Sequence, residues 1–192
     1  MAKLEVVGFD PSLNNWGVAR GIYCTESQDL RILSLDVVKP VLPTGKQVRQ
    51  NSKDLNAAFQ LAQGAKTHSK GADAIFIEVP IGSQSARAMA SYGICVGVLG
   101  GLRSNGIPFF EITPTEVKLA TVGSKTASKT DMINWGTSNH PEAPWPTRQV
   151  SGVKQIIAGK AEHMADAVGA IKAGLNSEAF KQIILLINTR KS

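Results

Sequence analysis

KLEVVGFDPSLNNWGVARGIY, residues 3–23, decides how this chain is read. Residues 3–9 and 16–23 are rich in apolar and β-branched residues, and DPSLNN between them has turn composition, so the stretch predicts two antiparallel strands. Residues 30–38, LRILSLDVV, alternate in the same way and extend the pair to a three-stranded meander. A single carboxylate, Asp10, closes the first apolar strand.

Working outward, VKPVLPTGKQVRQNSKD over 38–54 holds two prolines, a glycine and four cations, which predicts an exposed, mobile loop. A helix is expected at 53–68, then the short strand AIFIE at 74–78, ended by Pro80, which cannot donate to a ladder. The small residues of 84–103 predict a helix packed closely on a sheet, and 107–112 (IPFFEI) a further strand. Thr113, Pro114 and Glu116 form a capping-box pattern opening a helix over 114–121. Helices are expected at 127–137, 158–174 and 177–188, while 139–147 is too proline-rich for regular structure. The order βββ, α, β, α, β, helices predicts a mixed five-stranded sheet, three strands antiparallel and two parallel, with helices on both faces. The chain reads as one domain over 1–192, with 177–190 as a C-terminal helical extension.

Composition narrows the partners. The chain has 192 residues, 43% of them hydrophobic, and suits one core. Twenty-one Lys and Arg against fifteen Asp and Glu give +6 and a pI near 9.4, a balance suited to phosphate-bearing partners. Cys24 and Cys95 lie in apolar contexts and predict reduced thiols, not a disulfide framework. The longest apolar run, 183–187, is far short of the roughly twenty residues of a membrane span. A soluble, cytoplasmic protein with no membrane partner is expected.

Glu78 closes AIFIE as Asp10 closes the first strand, and ligands of open α/β sheets gather at the carboxyl ends of strands. In KAEHMADAVGAIKAG, the residues Ala161, Met164, Ala165, Val168, Ile171 and Leu175 form an apolar stripe at helical spacing. That stripe leaves Glu162, His163 and Asp166 on the adjoining edge. The Ala and Gly content of this segment allows close approach to the sheet, so the edge acids could reach the strand-end acids. Oxygen-rich clusters with few histidines favour Mg²⁺, with Mn²⁺ as a substitute, over zinc. Each residue also fits a plainer role: Asp10 as a turn residue, Glu78 as a helix cap, His163 and Glu162 as solvated helix surface, and Lys118, Lys125 and Lys129 as ordinary surface cations.

Four motifs taken in order bring a family into view. GFDPSLNNWGVA resembles the first strand and turn of the RuvC Holliday-junction resolvases. IFIEVPIGSQSARAMASYGICVGVL resembles their second acidic strand and following helix, ITPTEVKLATVGSKTASKTDM their lysine-bearing region, and EHMADAVGAI their closing helix. The likeness runs over about residues 4–175. It implies an RNase H-like fold, metal-binding carboxylates at Asp10, Glu78 and Asp166, and His163 as a fourth ligand, because family members carry Asp or His there. It further implies that Lys118 and Lys129 contact DNA phosphate at the scissile region and that a homodimer places two sites on a four-way junction; read from charge alone, Lys118, Lys125 and Lys129 supply cations that neutralise phosphates. The activity implied is Mg²⁺-dependent endonucleolytic resolution of branched DNA, in a bacterial cell or encoded by a phage acting in one. One departure stands out: the family carries an aromatic shortly after the second acid, whereas this chain reads Val79-Pro80-Ile81-Gly82. Ile81 would be a smaller apolar wedge there, since aliphatic side chains can also part base steps. Other RNase H-like nucleases, a broader branched-DNA nuclease and a catalytically idle nucleic-acid-binding module remain the competing readings. An actin-like nucleotide binder is disfavoured, since it needs a second strand-Asp-turn-strand unit.

Overall fold

In the computed structural model, which describes residues 3–45 and 47–189, three strands come first: β1 (Lys3–Asp10), β2 (Trp16–Cys24) and β3 (Leu30–Val38). Helix α1 (Gln50–His68) leads to β4 (Ala74–Glu78), α2 (Ala86–Ser104) and β5 (Phe110–Ile112). Helices α3 (Pro114–Thr121) and α4 (Lys129–Asn139) precede a hairpin, β6 (Thr147–Val150) and β7 (Val153–Ile156), and then α5 (Ala158–Asn176) and α6 (Glu178–Thr189) close the chain. The large sheet has the order β3-β2-β1-β4-β5; β1 to β3 pair antiparallel, and β4 runs parallel to both β1 and β5. This is the expected α/β architecture, a mixed five-stranded sheet between helices.

Period-two alternation splits the core into two layers. Val7, Phe9, Ile75 and Ile77 pack toward α1 and α2, with Leu61, Ala65, Cys95 and Leu99. Val6 and Phe76 pack toward α5, with Ala167, Val168 and Ile171. Asp10 and Glu78 share the parity of Val6 and Phe76, so both fall on the α5 side. Strand parity therefore aims the two strand-end acids at the helix that bears the others. Across the opposite face, Arg87 makes a bidentate pair with Asp54, both N···O distances 2.7 Å, tying the start of α2 to α1.

The structure departs from the sequence expectations at three places. Helix α1 starts at Gln50, so the last turn of the expected 38–54 loop is helical, and Gln60 pins the loop through hydrogen bonds with both the N–H and the carbonyl of Val41. The fifth strand is only 110–112, because Pro108 has no N–H to give a ladder. The β6–β7 hairpin was not expected at all. Both cysteines are free, Cys95 buried in the core and Cys24 half-buried at the end of β2. Among the described residues no helix is long and apolar enough to cross a membrane.

Candidate metal site

The carboxyl ends of β1 and β4 and the N-terminal half of α5 enclose an open cleft of about 250 Å³. Asp10, Glu78, Glu162, His163 and Asp166 line it, with Ser12, Ile81, Tyr92 and Pro114. Four ligand-type residues expected from the sequence, and Glu162 as a fifth, thus come together from three elements separated by up to 156 positions. Two glycines make the approach possible. A Cβ at Gly17 would lie 2.1 Å from the His163 carbonyl oxygen, and one at Gly8 would lie 2.0 Å from that of Ala167. Only residues without a side chain let α5 lie this close to β1 and β2.

His163 Nδ1 is 2.8 Å from Asp10 Oδ2, with both side chains largely shielded, 18% and 15% exposed. That hydrogen bond raises the His163 pKa and favours the imidazolium. Burial, with the negative charges of Asp10 and Asp166, pushes the Glu78 carboxyl up to about 9. Burial and the charges of Asp10 and Glu162 push Asp166 up to about 7. Lys118, half-buried on α3, opposes both shifts. Burial first, and the crowding of carboxylates second, thus make the cleft keep protons when no other cation is present.

Local caps place the lysines. Thr113 and Glu116 form the expected capping box at the head of α3, the Thr113 N–H donating to Glu116 Oε2 at 2.7 Å and the Glu116 N–H to Thr113 Oγ1 at 3.2 Å. Ser128 and Asp131 form another at the head of α4, which fixes Lys129 in its first turn. Lys129 Nζ pairs with Glu162 Oε1 at 2.5 Å, so this lysine stands at the rim bound to a cleft acid. Lys125 lies exposed between α3 and α4 and makes no hydrogen bond or ion pair among the described residues. Ile81 is 73% exposed at the cleft mouth. Tyr92 and Ser12 belong to the cleft but were not singled out from the sequence. Ser12 follows Asp10 in the same turn, which was a usable signal, whereas Tyr92 sits in a helix whose facing only the fold reveals.

Among the described residues no three His, Cys, Asp or Glu side chains stand as a ready-made metal shell. The chemistry of the donor set nonetheless fits a hard divalent cation: carboxylate oxygens dominate, one histidine contributes, and the part of the raised Glu78 and Asp166 values that comes from neighbouring negative charge is what such an ion would relieve. His163 already acts as a partial counter-cation for Asp10. Ion binding would require the acids to draw together and exchange those protons.

No protein-family model matches the chain. Solved structures that share its fold include two of RuvC. Thermus thermophilus RuvC is 19% identical with a TM-score of 0.59, covering 94% of this chain and 96% of that one. T. thermophilus RuvC in complex with a Holliday junction substrate is 17% identical with a TM-score of 0.57, covering 89% and 96%. The RNase H-like fold implied by the sequence resemblance is thus shared across almost the full length of both chains.

Proposed function

We propose that this protein is a structure-selective endonuclease that cuts four-way DNA junctions by divalent-metal-assisted phosphodiester hydrolysis. One observation carries the reading: Asp10, Glu78 and Asp166, each delivered by a different element, share an open cleft with His163 and Glu162, beside Lys118 and Lys129. The fold shared with RuvC and the order of the four motifs support the same conclusion. The net charge of +6 fits a polyanionic partner.

Asp10, Glu78 and Asp166 would hold Mg²⁺, or Mn²⁺ in its place, with His163 and Glu162 as further donors. When bound, such ions lower the pKa of an attacking water and take up charge at the leaving oxygen. The chain's own groups do the rest. With Nδ1 committed to Asp10, the His163 imidazolium keeps an Nε2–H that can pass a proton, and only after losing it would Nε2 serve as a ligand. Lys118 neutralises charge at the scissile phosphate from α3, and Lys129 can exchange Glu162 for a phosphate at the rim. Lys125 adds a sequence-independent contact on the neighbouring loop, and Ile81 lies where a wedge against a base step would sit.

A homodimer would place two such clefts on opposed strands of a junction. The outer face of α1 and α2 supports that assembly, with Leu55, Phe59, Met89 and Val96 all at least 46% exposed. The compartment of action would be a bacterial cytoplasm, where branched DNA arises.

The direct test is cleavage of a labelled four-way junction, a fork and a linear duplex in Mg²⁺ by wild type and Asp166→Asn. Paired symmetric nicks made only by wild type, and only in the junction, are expected. Equal cutting of fork and junction would point to a broader branched-DNA nuclease. Binding without cutting, in Mg²⁺ and in Mn²⁺, would leave an idle binding module and end the metal-site reading.

A further inference from the structure

Among the described residues, the β6–β7 hairpin is the one element that serves neither core. None of residues 147–156 belongs to either buried cluster, and β6 and β7 contact each other far more than anything else. A lone two-stranded hairpin is only marginally stable. This one is held at its base by the Ile157 N–H donating to the Pro146 carbonyl at 2.8 Å. At its tip Ser151 and Gly152 both take positive φ, 50° and 79°, the two-residue turn whose twist suits a hairpin.

Its position is informative. Along α5, Gly174 meets Phe76, Ala167 meets Gly8, and His163 meets Gly17, the residue paired with Asp10. Moving toward the start of α5 therefore moves toward the carboxyl edge of the sheet and past the acids. The hairpin is rooted there at Ile157, the N-cap of α5 and six residues before His163, or about 9 Å along the axis.

Its chemistry is one-sided. From Ala143 to Ala161 the chain has Arg148, Lys154 and Lys160 and no carboxylate. Cross-strand pairing puts Arg148 beside Gln155 and Val150 beside Val153 on one face, and Gln149 beside Lys154 and Thr147 beside Ile156 on the other. Thr147, Val150 and Ile156 are half-buried, whereas Arg148, Gln149, Lys154 and Gln155 are exposed, and Val153 is 60% exposed. None of Arg148, Gln149, Lys154 or Gln155 makes a side-chain hydrogen bond or ion pair among the described residues. The face shared by Arg148, Gln155 and Val153 thus presents a guanidinium, an amide and an apolar tip.

We infer that this hairpin is a second DNA-contacting element, a β-ribbon that enters the major groove of the duplex arm leading into the cleft and reads base edges with Arg148 and Gln155. A major groove about 12 Å wide admits a two-stranded ribbon, and arginine and glutamine make the bidentate contacts that distinguish guanine and adenine. Lys154, on the opposite face, meets backbone phosphate, and Val153 can pack on a thymine methyl. The inference rests on the DNA-cleaving reading above and adds a source of sequence preference.

The test uses four-way junctions with randomised arm sequences. Affinity is measured without metal across a salt series, and cut positions are mapped in Mg²⁺. Arg148→Ala/Gln155→Ala is expected to lose discrimination among arm sequences by roughly 5- to 150-fold per lost base contact. Lys154→Ala should weaken binding uniformly and lower the salt slope by about 1. Variants that match wild type in affinity, salt slope and cut distribution would overturn the hairpin's role and leave the nuclease reading standing. If wild type binds junctions but cuts nothing, the nuclease reading fails, while affinity and salt slope still judge the hairpin. A wild-type chain with no affinity for DNA would overturn both.

Discussion

Asp10 illustrates what one residue's position on a strand can decide. As the last residue of β1, it turns toward α5 by parity and meets His163 at 2.8 Å. Around this pair, Glu78 and Asp166 keep protons that exposed carboxyls would release. The sign of the consequence follows from linkage. An unfolded glutamate titrates near 4.3 and Glu78 at about 9, so across that window the folded state binds more protons than the unfolded one and stability falls as pH rises. Asp166 acts in the same sense up to about 7. His163, with its raised value, also contributes stability that is lost as pH rises. Without metal, the urea midpoint is therefore expected to drop between pH 5 and pH 9, and Mg²⁺ should restore most of the loss at the alkaline end. Glu78→Gln should flatten the metal-free profile, and a wild-type midpoint that climbs over this range would refute the account. Lys118→Ala, which removes the cation opposing both shifts, is expected to slow cleavage roughly 100-fold while leaving the thermal midpoint near wild type. The acids were legible in the sequence because each one ends an apolar run or edges an apolar stripe. The Lys129–Glu162 pair was not, since its members are 33 positions apart and only packing of α4 on α5 joins them.

At the scale of elements, the site depends on how closely α5 can lie on the sheet. The Ala and Gly content of α5 was readable as a sign of close packing, but the decisive glycines are in the strands. Gly17→Ala would drive a Cβ to 2.1 Å from a backbone carbonyl, an obstacle that cannot rotate away. A loss of about 3 kcal/mol is expected, at the upper end of the overpacking range, along with loss of Mg²⁺-dependent stabilisation, because His163 is carried away with its backbone. Gly159→Ala, in the first turn of the same helix, meets nothing within 4 Å and should instead stabilise by about 0.5–1 kcal/mol. Calorimetry of both variants separates a packing effect from a general response of α5 to alanine. The long elements were legible from periodicity and from caps such as Thr113-Pro114-x-Glu116. The hairpin was hidden because TRQV and VKQI are four residues each and mostly polar, giving no alternating apolar signal. Its one clue was the Ser-Gly pair at 151–152, a turn dipeptide set between two β-branched valines.

For the molecule as a whole, the two sides of the sheet carry different burdens. The α5 side is covered by α3, α4 and α6 and is committed to the core and the cleft. Among the described residues the opposite side is covered by α1 and α2 alone, and their outer surface keeps Leu55 73% and Phe59 59% exposed, with Met89 and Val96 near half. On α2 a Cβ at Gly93, Gly97 or Gly100 would meet nothing within 4 Å, so this helix is smooth as well as apolar. A smooth apolar helix face leaves room for a second helix to approach closely, and two copies meeting there would be related by a two-fold axis, the commonest symmetry of homo-oligomers. Such a dimer would repeat the clefts in fixed opposition, so that one complex would nick both strands of a junction. In light scattering the wild-type chain is expected to have twice the 20.4 kDa of one copy. Phe59→Glu/Val96→Glu, which buries charge in that face only if two copies meet, should yield a monomer of wild-type fold by circular dichroism. That monomer should still bind DNA through its lysines, yet cut one strand at a time, so that nicked junctions accumulate instead of resolved duplexes. A wild-type monomer that resolves junctions in paired cuts would assign the second nick to rebinding and leave the α1–α2 face without an oligomeric role.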